Sequence, residues 1–158
     1  MAPKPVIFLA FANDRENPSQ FLEALGPEKS ALQRILEHYD EKGWGKYYAA
    51  VSSEPKELKK DLSRYVGRLL IFHFAGHANG TALQLETSSG EAIELAGENL
   101  LAFLKEEPML RLVFLNACST KDHVERLFSI KIPAILATDS SVGDGEAKDF
   151  AEAFYRDL

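Results

Sequence analysis

The sequence predicts an α/β domain, an open and mostly parallel β-sheet in a three-layer arrangement with helices on both faces. Three observations carry that prediction. Short apolar runs alternate along the chain with stretches in which apolar residues recur at helical spacing. The strongest run, residues 69–75, is apolar at every position but His73, as a central parallel strand covered on both faces requires. Several of these boundaries carry residues that punctuate chains, among them Asn13-Asp14, Gly43, Gly67 and Gly76.

The first strand is residues 6–12, a bulky apolar run that follows Pro5 and stops at Asn13-Asp14. Pro27 opens a helix in which Leu32, Ile35, Leu36 and Tyr39 share one face, closed by Gly43. Residues 47–51 form a second strand. Ser53 and Pro55 then announce a helix carrying Leu58, Leu62, Tyr65 and Val66, ended by Gly67. Residues 69–75 are the third strand. Two alternating runs, 81–86 and 92–95, flank Ser88-Ser89-Gly90 and read as a small inserted hairpin. A helix over 98–105, a buried strand over 111–116, a short helix over 121–128, a strand over 133–137 and a helix over 145–158 capped by Asp144 complete the order. Strands separated by helices pair in parallel through right-handed crossovers.

At 158 residues and 46% apolar composition, the chain is expected to be a single domain, 1–158, with a core of its own. A net charge of −6 supplies no basic field, which argues against nucleic acid and membrane surfaces as partners. The one cysteine excludes an intramolecular disulfide and suits a reducing, cytoplasmic setting. The apolar runs are far shorter than the roughly 20 residues of a spanning helix, and residues 1–5 are too few for a signal peptide.

In an open parallel sheet the functional crevice lies beyond the carboxyl ends of the strands. His77 sits just past the strand over 69–75, and Cys118 just past the strand over 111–116, so both are expected at that edge. A cysteine attacks as the thiolate, and a neighbouring histidine can take its proton. The competing reading is a buried cysteine serving as a small apolar side chain.

The stretch Ile71-Phe72-His73-Phe74-Ala75-Gly76-His77-Ala78 resembles the strand-to-histidine motif of the caspase-like, clan CD, cysteine peptidases. Leu112-Val113-Phe114-Leu115-Asn116-Ala117-Cys118-Ser119-Thr120 resembles their strand-to-cysteine motif, in the family's order. The wording is most similar to the CHAT branch, with its His-x-Ala-x-His and Leu-x-Ala-Cys-x-Thr stretches, and Phe154-Tyr155-Arg156-Asp157-Leu158 resembles that branch's late helix. The resemblance implies a caspase-like fold and peptide-bond hydrolysis through an acyl-enzyme on Cys118, with His77 as general base or imidazolium partner and no third catalytic side chain required. Backbone N–H groups of Ala78 and Cys118 would hold the oxyanion. Ala78 departs from the glycine usual after the histidine, which restricts the loop.

The resemblance further implies a protein or peptide substrate, an activating or regulatory protein, a signalling or defence setting, and no cofactor or metal. Family members usually continue beyond the last helix, which leaves room for this chain to be the catalytic part of a longer protein. In the clan, the residue two before the cysteine lines the specificity pocket. Here it is Asn116, whose neutral amide sets no charge preference. Asp139 and Asp144 lie after the next strand and could form an acidic wall for a basic side chain, against the plainer readings of a turn residue for Asp139 and a helix cap for Asp144.

His73 is expected to be structural, His38 and His123 solvated, and Trp44 a surface aromatic. A zinc site from His73, His77, Cys118 and His123 matches no ligand spacing. Gly143-x-Gly145 lacks the third glycine of a dinucleotide turn, and no serine-hydrolase elbow or P-loop is present. The rival of another class is the same fold as a catalytically silent regulatory or interaction module. Retention of both His77 and Cys118 counts against it.

Overall fold

The computed structural model describes residues 3–51 and 54–158. In chain order the elements are β1 (Val6–Phe11), α1 (Leu25–Glu41), β2 (Lys46–Val51), α2 (Pro55–Ser63), β3 (Leu69–Ala75), β4 (Ala82–Glu86) and β5 (Ala92–Ala96). They continue as α3 (Gly97–Leu104), β6 (Leu112–Asn116), α4 (Lys121–Ser129), β7 (Ala134–Leu136) and α5 (Asp144–Arg156). Five strands form one sheet in the order β2-β1-β3-β6-β7, and every pairing in it is parallel. β4 and β5 form a separate antiparallel pair, the inserted hairpin.

The period-2 alternation of side chains splits the core into two layers. Ile7, Leu9, Phe11, Ile71 and Phe114 pack against Leu32 and Leu36 of α1 and Ala151 and Tyr155 of α5. Phe8, Ala10, Phe72, Phe74, Val113 and Leu115 face the other way, onto α2, α3, α4 and the hairpin. β1 is buried along its whole length and β3 nearly so, since each has strand neighbours on both edges and helices on both faces. No helix among the described residues is long and apolar enough to cross a membrane.

Some boundaries differ from the sequence reading. α1 starts two residues before Pro27, which is tolerated because first-turn N–H groups have no intrahelical partner to lose. α2 stops at Ser63, and Val66 is left 57% exposed beyond it. The cap expected at Ser53 lies outside the described residues. α5 is entered through Gly143, whose N–H donates to Glu146, so Asp144 is its first residue and not its cap.

The exit from β3 depends on glycine. Gly76 has φ +158°, and a Cβ there would stand 2.5 Å from the Ala12 carbonyl oxygen, inside any tolerable contact. Gly76→Ala is therefore expected to cost about 1–3 kcal/mol of backbone strain, read as a lower urea midpoint with an unchanged m-value.

Candidate active site

The carboxyl ends of β3 and β6 open into a cleft of about 70 Å³ whose walls include His77, Asn116, Ala117 and Cys118. Leu22 from the β1–α1 loop, Leu25 and Glu28 from α1, and Val142, Asp144 and Ala147 from the α5 end close its sides. His77 and Cys118 are both half-buried. Each is held by the loop that carries it.

The histidine loop is sewn to the hairpin. Gln84 N–H donates to the His77 carbonyl and Asn79 N–H to the Ala82 carbonyl, each at 2.9 Å, so Ala78 lies opposite Leu83. The Asn79 side-chain oxygen accepts from the N–H of Thr81 and of Ala82, both at 2.8 Å, which closes the turn. His123 is not solvated. It is buried, with Nε2 2.8 Å from the Asn79 carbonyl, which corrects the sequence expectation: its position on the inner face of α4 is what braces the same turn.

The imidazole of His77 meets the carbonyl oxygen of Gln20 through Nε2. A carbonyl only accepts, so Nε2 carries the proton and Nδ1 is the basic nitrogen of the neutral ring. Gln20 escapes sequence reading because the contact uses its backbone, which no residue type advertises.

Cys118 is the second residue of the loop between β6 and α4, and Ser119 after it takes a left-handed φ of +54°. Thr120, fully buried, stitches that loop to the segment after β7: its hydroxyl accepts from Thr138 N–H at 2.9 Å, and Lys121 N–H donates to the Thr138 carbonyl at 3.0 Å. The Cys118 thiol lies 3.9 Å from the Val142 carbonyl, its hydrogen-bond acceptor. The same stitching turns Asp139 outward. It is 75% exposed, paired with Lys121 at 3.1 Å, and stands outside the cleft, so the acidic wall expected from it is not there.

Asn116 and Asp144 do line the cleft, in particular ways. Asp144 accepts from Ala24 N–H at 2.7 Å, tying the start of α5 to the start of α1. Asn116 is buried and its amide donates to Glu28 at 2.9 Å and to the Ala147 carbonyl at 3.1 Å. Glu28, which in the sequence looks like an ordinary first-turn acid, is 2% exposed at the cleft floor. Its Oε1 also lies 3.4 Å from Nε2 of His73, without hydrogen-bond alignment. Burial pushes the Tyr155 hydroxyl well up, and the Glu28 charge adds to it, so the phenol stays protonated and donates to His73 Nδ1 at 3.2 Å. His73 is thus structural, as expected, and completes a buried layer with Glu28, Asn116 and Tyr155.

A buried carboxylate that loses its donor bears the full desolvation penalty. Asn116→Leu should therefore cost at least about 2 kcal/mol, more than an ordinary polar-to-apolar exchange. Urea unfolding of the variant beside Asn116→Asp, which sets a second carboxyl against Glu28, checks this. Both should be destabilised, and the Asp variant should recover as pH falls.

The CHAT domain family model matches residues 2–158. No curated protein matches the chain. Among solved structures, pro-sf-caspase-1 is similar at 14% identity and a TM-score of 0.47, over 75% of this chain and 52% of that one. This chain thus spans about half the length of that protein. With a match over all but the first residue, the chain belongs to the CHAT domain family.

Proposed function

We propose that this CHAT domain is a cysteine endopeptidase with His77 and Cys118 as its catalytic dyad. The observation that carries the reading is the Gln20 carbonyl on His77 Nε2, which leaves Nδ1 as the basic nitrogen of a side chain that lines the same cleft as Cys118. His77 takes the Cys118 proton, and the thiolate attacks the substrate carbonyl carbon. The oxyanion is received by backbone N–H groups of Ala78 and Cys118. His77 returns its proton to the leaving amine, and water then releases the acyl group from sulfur with His77 again as base. Every proton in this cycle moves between the substrate, water and two side chains.

The cleft walls favour a cationic side chain on the acyl side of the cut. Glu28 and Asp144 line the cleft, and no lysine or arginine among the described residues does. Asn116 contributes by holding Glu28 in place, since its own amide hydrogens are engaged. Asp139 has no part. The lone cysteine suits a reducing cytoplasm, where a regulatory protein would control access to the site.

Labelling with peptidyl acyloxymethyl ketones bearing Arg, Lys, Asp, Asn or Leu at the cleaved position tests the reading. The Arg and Lys probes should label wild type, and labelling should disappear in both Cys118→Ala and His77→Ala. Modification of wild type by no probe would instead support a silent interaction module, and preferential labelling by the Asp probe would overturn the carboxylate pocket.

A further inference from the structure

A second cavity, of about 210 Å³, opens beside the carboxyl end of β1. Phe11, Phe21, Leu25 and Gly26 line it together with Asn13, Lys29 and the paired Arg15 and Glu86, and the surface these walls expose is mostly apolar. Apolar cavities of roughly 150 Å³ already admit a benzene ring. This one is large enough for a branched or aromatic side chain.

The cavity adjoins the cleft in two respects. Leu25 forms part of the wall of both. Three consecutive residues of the β1–α1 loop divide their contacts among the functional parts: the Gln20 carbonyl holds His77, Phe21 lines the cavity, and Leu22 lines the cleft.

We infer that this cavity is a subsite for an apolar side chain on the leaving side of the substrate, an assignment that rests on the endopeptidase reading. The strand order supplies the direction. β6, β3 and β1 are consecutive neighbours, so Cys118, His77 and the cavity follow one another along the carboxyl edge of the sheet. Histidine delivers its proton to the leaving amine, which places the amine on the His77 side of the sulfur and sends the leaving segment onward toward β1. From β6 to β1 is two strand spacings, about 10 Å, or three extended residues at about 3.3 Å each. The side chain that reaches the cavity therefore belongs to the second or third residue after the cut.

Gly26 keeps the cavity open. It lies in the first turn of α1, where glycine weakens a helix relative to alanine. Nothing in the backbone demands it, because a Cβ built there meets no atom within 4 Å. The space that a side chain would take is left to the cavity.

Digestion of a mixed synthetic peptide library by wild type, Gly26→Ala and Gly26→Leu, with products read by mass spectrometry, tests the assignment. Circular dichroism checks that each variant is folded, and iodoacetamide alkylation of Cys118 at the wild-type rate checks that the nucleophile is undisturbed. Wild type should favour Leu, Ile or Phe at the second or third residue after the cut. Gly26→Leu should lower cleavage of those peptides about tenfold relative to peptides with glycine there, with a smaller loss in Gly26→Ala. Absence of an apolar preference in active wild type, or its survival in Gly26→Leu, overturns the subsite. Cleavage of no peptide counts against the endopeptidase reading itself. The cavity is then read by saturation-transfer NMR with N-acetyl-phenylalaninamide: a signal in wild type that disappears in Gly26→Leu supports an apolar side-chain site, and equal signals from both proteins, or none, contradict it.

Discussion

The parallel pairing of β3 with β6 is the constraint on which the site depends. In that ladder Ala75 lies opposite Asn116, so His77 and Cys118, each two residues further on, leave the sheet edge at the same level. Parallel strands run in one direction and bring both carboxyl ends to one edge, where they share a crevice that the helices on either face cannot fill. A slip of one residue would turn Phe72 and Phe74 out of one core layer and His73 out of the other. The hydrophobic alternation that builds the core thus also holds the cleft residues in register.

Beneath the cleft the apolar packing gives way to a polar layer. Glu28 from α1, His73 from β3, Asn116 from β6 and Tyr155 from α5 meet between the sheet and its two covering helices. Buried polar groups are tolerable only when their partners are in place, so such a layer discriminates sharply against displaced arrangements of α1 and α5. Asp144 adds a second tie between the same helices through the Ala24 N–H. The result is a cleft whose carboxylates are positioned by the fold's own requirements. The proposed preference for a cationic side chain draws on groups that already have structural duties.

Much of the fold is legible in the sequence because burial on both faces leaves an unmistakable record in strands such as 69–75, and because Gly76 and Asn13-Asp14 mark chain reversals. The positions of His77 and Cys118 follow from strand ends alone. What stays hidden is of three physical kinds. The Gln20 carbonyl belongs to the backbone, which is the same at every residue. Glu28 looks like any acid placed against a helix dipole, and only tertiary packing brings it under Asn116. Asp139, Asp144 and His123 can be placed only by neighbourhood in sequence, whereas their directions are set by Thr120–Thr138 stitching, by the tie to Ala24 and by the turn at Asn79. Family membership, which the two motifs suggest in the sequence, is shown by the family model over residues 2–158.

The central claim is that His77 acts on the Cys118 thiol. The rate of Cys118 alkylation by iodoacetamide across pH, in wild type and in His77→Ala, tests it most directly. A working dyad predicts that wild type reacts faster at neutral pH than a free cysteine and that His77→Ala falls back to the free-thiol rate and profile. Superimposable profiles for the two proteins would contradict the dyad.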